Sequence, residues 1–165
     1  MLLVGYPDHL CGALRSALAV HGVATTADPR ELRAPGSREA FVIVTTESRA
    51  TRRGLGGWRE HAAHQANADR ITEMVVDAAA TVPGVRVLIL CDGSGAPSSS
   101  AAIRATRQLG RRLAYECAMN ATSIRSTTYV VIDDATPATT AIDAAVTWYL
   151  THQRCGAGPA GSEKN

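Results

Sequence analysis

The sequence is poor in aromatic residues, in closely spaced cysteines and in long apolar runs, and each shortage removes a class of protein. Aromatics make up 4% of the chain, with one Phe and two Trp, so its core is expected to be built from alanine and β-branched side chains, with helices lying close on a sheet. Cys11, Cys91, Cys117 and Cys155 are far apart and form no CxxC pair. That spacing suggests neither a zinc knuckle nor a disulfide framework, and the cysteines read as reduced thiols of a cytoplasmic protein. No run approaches the roughly 18–20 apolar residues of a membrane span. The opening "MLLVGYPD" reads as a strand and a turn, not as a targeting leader. Charge of one sign is lacking too: 17 basic against 15 acidic residues leave a net charge of +2, which gives no argument for a nucleic-acid partner.

What is present is enough for one core. With 165 residues, 45% of them hydrophobic, the chain is expected to form a single domain over residues 1–153. Apolar β-rich runs stand at Leu2 to Val4, Phe41 to Thr45, Val85 to Leu90 and Tyr129 to Ile132, with a weaker fifth at Val23 to Ala27. They are apolar on both faces, as parallel strands covered on both sides are. Helical stripes alternate with them: Leu10, Leu14 and Leu18; Ile71, Met74, Val75 and Ala78; Ile103, Leu109, Leu113 and Cys117; Ile142, Ala145, Val146 and Tyr149. Alternating strands and helices predict an α/β, Rossmann-like, doubly wound three-layer sandwich of about five parallel strands in the order 2-1-3-4-5. "RATRRGLGGWRE", Arg49 to Glu60, reads as a basic glycine-rich loop, and residues 154–165 read as a disordered Gly/Pro/Ser tail.

Several clusters invite a chemical reading. Asp92, with Ser94, Ser98, Ser99 and Ser100, follows a strand's carboxyl end, where open α/β sheets keep their chemistry; the same residues read as a turn and a helix N-cap. Arg104, Arg107 and Arg111 share one face of the third helix, either as a solvated face or as a docking surface for an acidic partner. His61 and His64 are three apart, a surface pair or two ligands of a metal that would need a third. Asp133 and Asp134 end the last strand as a turn or a cation site. A receiver-like signalling domain fits the strand order, but "FVIVTTE" offers threonines where such a domain needs an acid.

"LGRRLAYECA", Leu109 to Ala118, followed by "SIRSTTYVVID", resembles the corresponding helix and strand of short-chain dehydrogenases/reductases, and "TTAIDAAVTWYLTH" resembles a late helix of that family. The opening strand and helix are similar to its first βαβ unit. The resemblance implies cofactor contacts at Gly5, at Gly12 if the turn is one residue longer, and at Asp28, but puts His9 and Cys11 where two further glycines belong. It places Asp92, Ser99 and Ile103 where the family has its serine, tyrosine and lysine. A serine without a cationic neighbour does not replace that tyrosine. The family's helix, strand and helix before the fourth strand, and its last strand, are absent. The resemblance therefore implies a truncated, non-catalytic subunit that binds no cofactor. It would pair through its two long helices with a catalytic ketoreductase, or with a copy of itself, in fatty-acid or polyketide biosynthesis. Ile71, Met74, Val75, Leu109 and Leu113 would supply the apolar contacts, with Ala62 and Ala66 beside them, and Arg104, Arg107 and Arg111 the basic ones. An acyl carrier protein is a further implied partner. The alternative implied is an atypical NADP- or NAD-dependent reductase that uses Asp92 and Ser99.

Overall fold

The fold follows from two strands that are apolar on both faces. "AFVIVTTE" and "VRVLILCD" are buried along most of their length, so both must lie inside a sheet with helices above and below. A computed structural model describes residues 1–32, 39–48, 55–82 and 84–156. In chain order these form β1 (Leu2–Gly5), α1 (Asp8–Val20), a short 3-10 turn (Pro29–Leu32), β2 (Ala40–Glu47), α2 (Leu55–Thr81), β3 (Val85–Asp92), α3 (Ser99–Met119), β4 (Ile124–Ile132) and α4 (Ala138–Gly156). The four strands make one parallel sheet in the order β1-β2-β3-β4.

Side-chain alternation along each strand divides the core in two. Val42, Val44, Val87 and Ile89 face Ile71, Val75 and Ala78 of α2 and Leu113 and Cys117 of α3. Ile43, Leu88 and Leu90 point the other way, onto Leu10, Leu14 and Leu18 of α1 and Ala141, Ala145 and Val146 of α4. The three layers are thus α1 with α4, the sheet, and α2 with α3. Each fully buried Leu, Ile or Val contributes roughly 1.5–3 kcal/mol. Because α1 leaves β1 for one face and α2 leaves β2 for the other, the chain changes sides between β1 and β2. Open α/β sheets bind ligands outside the carboxyl ends of the strands at such a point.

Several expectations need correction. The described residues contain four strands in chain order, not five in the order 2-1-3-4-5. Val23 to Ala27 contributes a single bridge, Leu2 to Thr26, on the outer side of β1, held by Leu3 N–H to Thr26 O at 2.9 Å and Thr26 N–H to Met1 O at 2.9 Å. β1, four residues long, gives that segment little to pair with. β4 starts five residues before Tyr129 and alternates in exposure, because it is the edge of the sheet. The "loop" reading of Arg49 to Glu60 is wrong from Leu55 onward, where α2 has begun; residues 49–54 lie outside the described residues. α4 continues through Gly156, so the proposed tail is helical at its start, and residues 157–165 lie outside the described residues.

The partner surface changes most. Ile71 is 3% exposed and Val75 and Leu113 are 0% exposed, while Met74 and Leu109 are half-buried against the same cluster. The sheet face and the two helices cover these side chains themselves. What α2 leaves exposed of that apolar stripe is Ala62 and Ala66.

Candidate functional site

Gly5 sets the site. Its φ is +126°, and a Cβ there would stand 1.8 Å from the Thr45 carbonyl oxygen, so only glycine lets β1 end this close to β2. The turn brings Tyr6 N–H to Thr45 O at 3.1 Å and carries the Tyr6 ring to α2. There its hydroxyl is hydrogen-bonded to His64 Nδ1, with the ring centroids 5.7 Å apart. On the other side of the imidazole, Nε2 lies 4.0 Å from Glu47 Oε1, at the end of β2. Strand end, helix and strand end thus assemble a phenol, an imidazole and a carboxylate in a row.

The row lies in a cleft of about 310 Å³ between α2 and α3. Its floor includes Thr46 and Cys91, and its α3 wall runs from Ala105 and Thr106 past Leu109 to Arg112. Burial pushes the Tyr6 hydroxyl above its ordinary range, and the charges of Glu47 and Cys91 push the same way, against hydrogen bonds with Thr46 and Asn67. The Tyr6 phenol therefore stays protonated around neutral pH and acts as a donor. Burial likewise raises the Cys91 thiol, opposed by a hydrogen bond with Thr106 and reinforced by the charges of Asp92 and Glu47. Cys91 is an inert wall, not a nucleophile. Arg112 Nη2 donates to Asp69 Oδ1 of α2 at 2.5 Å.

A scan against protein-family models, a search of curated proteins and a search of solved structures each find no match.

The structure separates the residues singled out from sequence. Asp92 Oδ1 accepts from Ser94 N–H at 3.0 Å and from the Ser94 hydroxyl at 2.7 Å, which closes a turn. Ser98 caps α3 by accepting from Ala101 N–H at 3.2 Å. Ser99 donates to Asp133, and that bond is the main reason the Asp133 carboxyl titrates below the usual range, followed by the backbone N–H groups of Thr136 and Ala135. Asp92, Ser99 and Asp133 are thus occupied in holding the β3–α3 and β4–α4 loops, as the turn-and-cap reading had it. Gly12 has open space where a Cβ would be and needs no glycine. Asp28 Oδ1 accepts from Arg30 N–H at 2.9 Å and starts the 3-10 turn. Gly5 does line a second cavity, of about 190 Å³, beside Asp8, Cys11, Arg15 and Arg70. There the Cys11 thiol is hydrogen-bonded to Thr45 Oγ1 at 2.7 Å.

The arginines of α3 divide by task. Arg107 Nε donates to the Tyr129 hydroxyl at 2.9 Å and its guanidinium sits 5.6 Å from that ring's centroid, on the edge strand. Arg104 and Arg111 are exposed. His64, one of the suspected metal pair, belongs to Tyr6 instead, and no group of three or more potential ligands gathers among the described residues. Sequence reasoning passed over Tyr6 and Glu47, and it read Cys91 only as a reduced thiol and Arg112 only as a neighbour of the α3 arginine face, not as parts of one site; for Tyr6, Glu47 and Cys91 a signal was there. That signal was positional: these three sit at the carboxyl ends of consecutive strands, where a ligand approaches such a sheet.

Proposed function

We propose that this chain binds a small polar molecule in the α2–α3 cleft and transfers a proton to it through Tyr6. The observation that carries the reading is the Tyr6–His64–Glu47 row opening into that cleft. With His64 as the imidazolium, Nδ1–H donates to the Tyr6 oxygen, the Tyr6 O–H points to the ligand, and Glu47 supplies the counter-charge at Nε2. When the ligand oxygen takes the Tyr6 proton, the phenolate takes the one on Nδ1, and His64 is left neutral. Its side chain, 33% exposed, is re-protonated from water. The cleft volume is at the low end of the roughly 300–1,000 Å³ typical of ligand sites, so the molecule is small.

The reading uses no nicotinamide. The 190 Å³ cavity beside Gly5 falls below even that range, and Gly5 is committed to the contact with Thr45. A second reading keeps the docking of an acidic partner, a catalytic reductase subunit or an acyl carrier protein, on α3. It is favoured by Arg104 and Arg111, which are exposed and have no ion-pair partner among the described residues.

Ligand-observed NMR against a set of small carbonyl compounds tests the main reading. Hits are expected that Tyr6→Phe and His64→Gln each weaken, and, with solvent water taking the proton from the carbon beside the carbonyl while Tyr6 protonates its oxygen, solvent deuterium should enter at that carbon faster than in the Tyr6→Phe variant. Hits that ignore both substitutions would overturn it.

A further inference from the structure

We infer that Arg112 selects a short monocarboxylate for this cleft, one whose far end carries the oxygen that Tyr6 protonates. The inference rests on the cleft being the binding site and names what it binds. Arg112 closes one end of the α3 wall, seven residues from Ala105, about 10 Å along the helix at 1.5 Å per residue. It is tied down by one contact only, Nη2 to Asp69 Oδ1 at 2.5 Å. The remaining donors of its guanidinium have no partner among the described residues, and a planar fork of this kind is built to take a carboxylate through two parallel bonds. Ala68, Ala105, Leu109 and the protonated thiol of Cys91 supply the apolar part of the lining, which suits a short aliphatic segment.

Charge narrows the class further. Asp69 already occupies part of Arg112, so the guanidinium has donors left for one carboxylate. A single negative charge at the Arg112 end, with an uncharged carbonyl or hydroxyl at the Tyr6 end, matches the donors on both sides. Asp69 then acts as a competitor that the ligand's carboxylate displaces or shares.

Matched probes test this on the full chain: 4-oxopentanoate and its amide, 4-oxopentanamide, compared by calorimetry. The carboxylate is expected to bind at least about ten-fold more tightly than the amide, the scale of one charge-assisted contact. Arg112→Gln should abolish that preference while leaving amide binding in place, and Arg112→Lys should restore part of it. Asp69→Asn should strengthen carboxylate binding several-fold, a gain that a merely structural role for the bridge does not produce. Both side chains are substantially exposed, 34% for Arg112 and 49% for Asp69, and such pairs add little to stability, so the variants fold. Equal binding of acid and amide, or a preference that survives Arg112→Gln, overturns the assignment of Arg112. If the amide binds and Tyr6→Phe weakens it, the proton-transfer reading stands without it. Binding of neither probe overturns the inference as well, and the carbonyl screen then decides the reading beneath it.

Discussion

Two glycines that look alike in the sequence do opposite things. Gly5 is held at a φ of +126° with the Thr45 carbonyl where its Cβ would go, whereas Gly12 stands inside α1 with open space around it. Gly5→Ala is therefore expected to lower stability by about 3 kcal/mol or more, from overpacking and backbone strain together. Gly12→Ala is expected to raise it by about 0.5–1 kcal/mol, the helix-propensity difference. Urea unfolding of the two variants beside the parent chain measures both signs at once. The sequence flagged both residues and could not tell them apart, because the atom that decides between them, the Thr45 oxygen, belongs to another strand. Tyr6 and His64 are hidden for the same reason: 58 residues separate them, and neither has a local partner that marks it as chemical.

Elements were legible where local chemistry agrees with tertiary context. Ser98 precedes an apolar stripe, and it does cap α3. Ser98→Ala is expected to cost about 1 kcal/mol, while Ser100→Ala, which removes no backbone partner, should stay within about 0.5 kcal/mol; thermal unfolding separates the two. α2 was legible only in its second half. Gly56 and Gly57 lower helix propensity, so the stretch reads as loop, yet a helix already anchored on the sheet by Ile71, Val75 and Ala78 extends through them, since propagation is far easier than nucleation. β4 shows the converse. Its apolar run, Tyr129 to Ile132, suggested only a short strand. Pairing with β3 along its length extends it to nine residues, and Arg107 is laid over the Tyr129 ring on this strand.

Over the whole molecule, the order of the sheet makes its own prediction. Among the described residues, β2 and β3 have strand neighbours on both sides, and β4 has one on a single side. Backbone amides of β2 and β3 should exchange with solvent at least about 100-fold more slowly than the outward-facing amides of β4, as followed by hydrogen–deuterium exchange and NMR. Fast exchange in β2 would contradict the order. By itself the sequence determined the class of the fold. Runs apolar on both faces demand a covered parallel sheet, and stripes at helical spacing supply the cover, since both periodicities are properties of the local chain. It also offered, as one reading of Asp92 with Ser94, Ser98, Ser99 and Ser100, a turn and a helix N-cap, and the structure puts that cap on Ser98. Only the tertiary structure decided which of the α2 and α3 side chains are interior and that Tyr6, His64 and Glu47 meet. Burial and proximity depend on residues brought from distant parts of the chain by the sheet, and no periodicity within one segment encodes which partner it will face.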